Sequence, residues 1–292
     1  MKQVQLDING EVININVEGE SYYGEDEVLL LQDDDLCKNA PWHNVGYTVA
    51  QFLTDDLFQQ VQTGITNMIR SFVEKETGTA APDFTLEKYH EYCDDNELHL
   101  AVVKHFRNCL PVEEFPIDYR LVEDRISEIC GSEVSTQHPS PGAFAKFFCI
   151  RVVRPQRNTD NNPPHRDVWI DKLRNAVNMY LPLAGSNNHS SLPIIPGSHF
   201  WKESDIERSV SGSKVNKVAF VVPSVVGSKH GMKMIRPVPK PNEVLVFSPY
   251  LIHGGGNNLN PDVTRVSVEM RFWRKGYESA NLHETQISTM EC

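Results

Sequence analysis

No run of apolar residues in this 292-residue chain approaches the ~18 that a membrane-spanning helix needs. Met1 to Gly10 alternates polar and apolar residues and lacks the apolar block of a secretion signal. No C-x-x-C pair occurs. The six cysteines, Cys37, Cys93, Cys109, Cys130, Cys149 and Cys292, are scattered, which argues against a cysteine-built zinc site. They read as reduced, mostly buried thiols of a cytoplasmic protein. Positive charge is scarce: 28 Lys and Arg against 39 Asp and Glu give a formal net charge of −11. That balance argues against a chain that coats nucleic acid or an anionic membrane. Internal repeats and low-complexity stretches are missing as well. What the chain does have is 40% hydrophobic residues, enough to bury a core.

The first residues predict a hairpin. Val4, Leu6 and Ile8 alternate, Asn9-Gly10 supplies a tight turn, and Ile13, Ile15 and Val17 alternate back. Glu25 to Asp35 reads as an exposed acidic loop. A long helix follows, with Thr54 as cap, Asp55 and Asp56 in its first turn, and Leu57, Phe58, Val61, Ile65, Met68, Ile69, Phe72 and Val73 forming one stripe. Gly78 is its expected stop. Further helices are expected over 86–93, 98–109 and 121–130, the last closed by Gly131. After about residue 140 the pattern changes to short runs, 144–153, 177–183, 218–222, 234–238, 244–247 and 264–273, separated by Pro, Gly, Asn and Ser. Those runs predict a β-sandwich or barrel, with the helical portion packed on it.

Three motifs carry chemistry. In Pro163-Pro164-His165-Arg166-Asp167, an extended backbone aims His165 and Asp167 at one point and turns Arg166 away. An imidazole and a carboxylate suit Fe(II), but H-x-D alone also fits a surface loop. His253 ends the strand Glu243–Phe247 and its turn, beside Gly254, Gly255 and Gly256, where the backbone can turn tightly. It can complete a 2-His-1-carboxylate facial triad with open positions, or be only a turn residue. In Thr264–Phe272, Arg265, Ser267, Glu269 and Arg271 share one strand face. That face is either solvated or, given how soon Arg265 follows His253, an anchor for a carboxylate through Arg265 and Ser267.

H-x-D, a distal His and R-x-S together resemble the Fe(II)/2-oxoglutarate-dependent oxygenases, and within them the phytanoyl-CoA dioxygenase-like family. Gly46–Val49 with the helix after it, and Leu192–His199 with its Pro-Gly-Ser-His, resemble further elements of that family. Pro241-Asn242 stands where the family usually has Gly-Asp. The resemblance covers roughly 46–273. It implies a mainly β fold with helices: a double-stranded β-helix, or jelly-roll, with an N-terminal helical portion on it. The expected division is a hairpin and acidic loop over 1–45 and one oxygenase domain over 46–292. Within that domain the helical part runs from about 46 to 135, the β core from about 140 to 275, and a tail over 276–292. The resemblance also implies Fe(II) on His165, Asp167 and His253, with 2-oxoglutarate and O₂ as the other cofactors. Arg265 and Ser267 would hold the distal carboxylate of 2-oxoglutarate, and Asn178 and Tyr180 would line its pocket.

Such an enzyme would oxidise a small molecule, releasing succinate and CO₂. An intact Asp167 favours hydroxylation over halogenation, because related halogenases have a small residue there. Arg151, Arg154, Arg157, Arg166, Lys172 and Arg174 outnumber Asp160, Asp167 and Asp171 around the H-x-D motif. This surplus either steers an anionic substrate or forms a solvated surface of ion pairs. His199 reads as a turn hydrogen-bonder, His189 and His230 as exposed loop residues, and Trp169 as packing at the barrel mouth. The polar stretch 201–215 reads as a loop, either a cover for the site or plain connection. Two other classes stay open: a non-catalytic jelly-roll that binds a ligand, and a cupin-like metalloenzyme or zinc hydrolase without 2-oxoglutarate. Neither predicts an oligomeric state, and neither needs nucleic acid or membrane.

Overall fold

A computed structural model describes residues 1–31, 35–107, 110–139, 147–160, 162–170 and 173–276. The expected helix end at 108–109, the strand start at 144–146, Lys172, Asp171, Cys109 and the tail beyond 276 lie outside them.

The N-terminal hairpin forms as the alternation requires. Strands β1 (Lys2–Ile8) and β2 (Glu11–Glu18) pair with Val4 opposite Ile15 and Leu6 opposite Ile13. Asn9 and Gly10 take φ of 53° and 87°, the positive angles a two-residue turn demands. Val4, Leu6, Ile8, Ile13, Ile15 and Val17 are all buried. The hairpin is the middle of a five-stranded sheet, in the order β11 (Val218–Ala219), β10 (Lys214–Val215), β2, β1, β13 (Lys233–Met234). Its hydrogen bonds are therefore shared with strands from the C-terminal half.

The polar stretch 201–215 is built into sheets, contrary to the expectation of a loop. It holds β10 and β9 (Ile206–Ser209), the centre of a three-stranded sheet with β12 (Val225–Ser228) and β3 (Ser21–Tyr23). The physical reason is Arg166. Its guanidinium is fully buried and needs an anion, and Glu203, itself buried, supplies one. The expected strands over 218–222 and 234–238 shrink to two residues each. Pro223 follows the first, and Pro237 and Pro239 flank Val238 in the second, so the donors a ladder requires are missing.

The major sheet has seven strands. Its order is β4 (Tyr47–Gln51), β14 (Glu243–Phe247), β8 (Ala176–Ala184), β15 (Arg265–Arg274), β7 (Phe147–Val153) and β5 (Leu110–Pro111), with β6 (Val134–Ser135) also on β15. Helix α1 (Asp55–Thr77) starts at Thr54, whose side chain accepts from the Leu57 N–H, and stops at Gly78 with φ of 66°. Its stripe Phe58, Val61, Ile65, Ile69 and Val73 is buried. The expected helix over 86–93 is only α2 (Tyr89–Tyr92), because the Cys93 and Asp94 carbonyls turn away to accept from buried Arg154. Helices α3 (Asn96–Arg107) and α4 (Tyr119–Cys130) complete the layer, α4 ending at Gly131. Their apolar stripes share one core with Ile150, Val152, Val177, Met179, Leu181, Val244, Val246, Val266, Val268, Met270 and Phe272 of the major sheet. Burying each such side chain contributes about 1.5–3 kcal/mol.

Helices on one face of the major sheet, and the other face turned toward the hairpin-bearing sheet, make the jelly-roll expected from the sequence. Among the described residues, no helix is long and apolar enough to cross a membrane.

Candidate active site

Side chains alternate across β15. Once Val266, Val268, Met270 and Phe272 are under the helices, Arg265, Ser267, Glu269 and Arg271 must point into the barrel. The polar face of this strand is therefore interior wall, with Arg265 4% and Ser267 0% exposed. The same alternation turns Asn178 and Tyr180 of β8, and Arg151 of β7, inward. Together with His165, Asp167, Phe247, His253 and Gly254 they line a pocket of about 590 Å³, solvent at its mouth included.

The two histidines come from segments bonded to each other. His165 N–H donates to the His253 carbonyl at 2.9 Å, and His253 N–H donates back at 3.0 Å. Asp167 N–H is tied to the Pro249 carbonyl at 3.1 Å. Gly254 makes this close approach feasible. Its φ is +99°, and a Cβ there would lie 2.6 Å from the Pro163 carbonyl oxygen.

Both rings are oriented by their inner nitrogens. His165 Nδ1 lies 2.7 Å from the Pro163 carbonyl and His253 Nδ1 lies 3.0 Å from that of Leu251. A carbonyl only accepts, so each Nδ1 carries the proton and each Nε2 offers a lone pair. Nε2 of His165 and of His253 lie 3.3 and 3.7 Å from Asp167 Oδ1. Ligands ~2.1 Å from a metal and at right angles to one another stand roughly 3 Å apart, so the three atoms fit around one cation. Among the described residues this is the one group of three such side chains placed to hold a metal.

The second oxygen of Asp167 is fully occupied. Oδ2 accepts from Asn178 Nδ2 at 2.9 Å and from Arg271 Nε and Nη2 at 3.1 and 3.0 Å. Burial pushes the Asp167 carboxyl up. The Arg271 guanidinium, with the two histidine rings close by, more than offsets this, and it sits well below the usual carboxylate range. Burial, with His165 nearby, lowers His253 to about 4, so its ring is neutral at pH 7. A carboxylate with one committed oxygen, the neutral His253 ring and the His165 ring beside it form a ready ligand set.

On the far side of the pocket, Arg265 lies over the Tyr180 ring, 5.8 Å from its centroid. Its buried Nε and the buried Ser267 Oγ have no hydrogen-bond partner among the described residues. Arg236 is close by and is spent on the Ser191 and Asn257 carbonyls. Burial, and the like charge of Arg265, push Arg236 down to about 10. A buried guanidinium and hydroxyl left open in a positive environment are suited to a carboxylate from outside the chain.

The sequence-predicted residues thus come together, with a change of role for one. Asn178, expected in the cosubstrate pocket, holds Asp167 through its amide, because its register position on β8 is opposite Arg271. Tyr180 is on the expected wall, and its hydroxyl pairs with Ser186 at 3.0 Å. The basic surplus over 151–174 is mostly paired, at the surface for Arg157 and in the interior for Arg154 and Arg166. Arg154 pairs with Asp160, Arg157 with Asp94 and Arg166 with Glu203, and only Arg151 of these lines the pocket. His199 bonds the His43 carbonyl at 2.8 Å, and His189 and His230 are exposed, as expected. Trp169 packs with the minor-sheet core. Sequence reasoning missed Arg271 and Arg151 as site residues. The alternation along β15 already put Arg271 on the right face; its target was visible only through the pairing with β8.

Among solved structures, the chain is similar to AviO1 from Streptomyces viridochromogenes Tue57 at 15% identity, covering 81% of this chain and 93% of that one, with a TM-score of 0.48. It is similar to EctD from S. alaskensis, solved with 2-oxoglutarate and 5-hydroxyectoine, at 15% identity over 89% of this chain and 83% of that one, with a TM-score of 0.46. SnoN, a non-heme alpha-ketoglutarate-dependent epimerase from nogalamycin biosynthesis, is 9% identical over 80% and 78%, with a TM-score of 0.41. No curated protein matches the chain. The match that identifies it is to the family model described as phytanoyl-CoA dioxygenase (PhyH), over residues 42–267. That span is well over half the chain and contains every residue of the pocket but Glu269, Met270 and Arg271. The chain therefore belongs to the phytanoyl-CoA dioxygenase family of oxygenases, whose cofactors are Fe(II), 2-oxoglutarate and O₂.

Proposed function

We propose that this oxygenase hydroxylates a small anionic metabolite in the cytoplasm. His165 Nε2, Asp167 Oδ1 and His253 Nε2 hold Fe(II), and Arg265 with Ser267 holds the distal carboxylate of 2-oxoglutarate. When bound, iron and 2-oxoglutarate supply the oxidising power: with O₂, 2-oxoglutarate becomes succinate and CO₂, and the second oxygen atom goes to the substrate. The chain's own contribution is placement. The Pro163 and Leu251 carbonyls accept from Nδ1–H of each ring and so aim each Nε2 at the pocket. Arg271 and Asn178 keep Asp167 to one free oxygen. The apolar side chains of Tyr180, Leu192 and Phe247 restrict water on the cosubstrate side.

The observation that carries this reading is Arg265, lining the same pocket as the three ligand residues, with its buried Nε and the buried Ser267 Oγ on the same strand face left without a partner. A hydrolase or a simple metal-binding jelly-roll has no use for a dicarboxylate anchor there. The retained Asp167 carboxylate supports hydroxylation over halogenation, since it fills the position a halide would take. Cys37, Cys93, Cys130 and Cys149 are free and buried, in keeping with a reducing compartment.

Two measurements test it. Purified protein with Fe(II) and ascorbate is expected to release succinate from 2-oxoglutarate. Calorimetric titration of the Mn(II)-loaded protein without oxygen is expected to show tenfold or greater loss of 2-oxoglutarate affinity in Arg265→Leu, from hydrogen bonds to a charged group of ~1.5–3 kcal/mol. Equal affinities in wild type and variant would remove the cosubstrate assignment.

A further inference from the structure

On the wall between the cosubstrate anchor and Asp167 lie Arg151 and Glu269. Arg151 Nε donates to Glu269 Oε2 at 3.1 Å, and the two side chains are 20% and 19% exposed. This is their single hydrogen bond with each other, and Arg151's two terminal nitrogens make none among the described residues. Most other inward arginines are spent: Arg154 on Asp160, Arg166 on Glu203, Arg236 on two carbonyls. Arg271 directs its fork at Asp167. Arg265 is taken by 2-oxoglutarate in the reading above.

Charge on this wall does not balance. Arg151, Arg265 and Arg271 face Asp167 and Glu269, while Asp160, also at the pocket, is neutralised by Arg154. The dication and the dianion of the cofactors cancel, so the lining side chains leave one positive charge over, with Arg236 behind them satisfied by carbonyls but not neutralised. Arg151 is the lining guanidinium placed to use it: Glu269 takes only its Nε, and its two terminal nitrogens form an edge that suits a carboxylate or phosphate.

We propose that Arg151, oriented by Glu269, anchors the substrate's anionic group, a carboxylate or a phosphate monoester, and thereby selects an anion over a neutral molecule of the same shape. The assignment rests on the oxygenase reading of the pocket. Glu269 has two effects in it. It holds the guanidinium at the wall, and it competes with the ligand for that charge, which keeps affinity moderate and release fast.

The test uses full-length protein saturated with Mn(II) and 2-oxoglutarate, so that Arg265 is already occupied. The probes are butyrate, methyl phosphate and neutral butyramide. Mn(II) shortens the relaxation times of protons close to it, so the probes' proton relaxation reports occupancy beside the metal. Saturable enhancement is expected for one or both anions and none for butyramide; which anion responds distinguishes carboxylate from phosphate. Arg151→Gln is expected to weaken the responding anion at least tenfold, and Arg151→Lys to recover part of it. Glu269→Gln is expected to tighten it about threefold or more, and this arm decides the matter if Arg151→Gln does not fold. Butyramide binding as well as the anions, an unchanged affinity in Arg151→Gln, or weaker binding in Glu269→Gln would overturn the proposal. 2-Oxoglutarate affinity is measured on each protein. If the wild type fails to bind 2-oxoglutarate, the oxygenase reading falls and this inference with it; loss of anion selectivity with 2-oxoglutarate bound overturns this inference alone.

Discussion

Asp167 has two oxygens with two different tasks. Oδ1 faces the imidazoles and Oδ2 takes three hydrogen bonds, two of them from Arg271. Removing Arg271 takes away the countercharge of a buried carboxylate and leaves Asn178 alone to hold its orientation. Arg271→Gln is expected to weaken Mn(II) binding by about 10–100-fold, as loss of a partner to a metal ligand commonly does. Arg271→Lys restores charge without the fork and should recover only part of it. Titration with Mn(II) checks both; affinities within twofold of wild type in Arg271→Gln would show that Asp167 needs no positioning. The convergence of His165 and Asp167 was legible in the sequence because H-x-D is local, and i and i+2 on an extended chain converge whatever the rest of the fold does. Arg271 was not, because its role depends on which residue of β8 it meets, and a pairing register is a property of two distant segments.

At the level of elements, the hairpin and α1 were readable to within a residue or two. Each is fixed by local chemistry: Asn9-Gly10 in one, Thr54 and Gly78 in the other. The stretch 201–215 misled because its polar residues satisfy partners from elsewhere, above all Glu203 for Arg166. The Gly254 turn shows how much one element can depend on backbone shape. It brings the segment after β14 within hydrogen-bonding distance of the H-x-D segment, at an angle an L-residue rarely adopts. Gly254→Ala is expected to cost about 1–3 kcal/mol, from left-handed strain and the contact with the Pro163 carbonyl. Because the two histidines are joined across this turn, Mn(II) affinity should fall with stability. Urea unfolding with and without Mn(II) separates the two effects, and a variant as stable and as metal-avid as wild type would show that the turn has slack.

The whole molecule carries buried neutral histidines besides the three-residue cluster of the pocket. Burial lowers His99 to about 4 against the partly compensating charge of Asp160, and lowers His199 to about 4 against its bond to the His43 carbonyl. Both folded values lie below the unfolded value of 6.5, so the unfolded chain binds more protons between them. The stability they contribute is present above pH 6.5 and lost as pH falls toward 4. Urea midpoints at pH 7, 5.5 and 4.5 should decline in that order, and a flat series would mean that these rings are protonated in the folded state. The division of labour across the major sheet has a wider consequence. Along β15, Arg265, Glu269 and Arg271 face the pocket while Val266, Val268, Met270 and Phe272 pack into the core shared with the helices, so one strand carries two texts that can be edited separately. A change at Glu269 can shift what the pocket accepts while leaving untouched the apolar face that packs against the helices. A lineage built on this strand can thus explore new substrates without first becoming unstable.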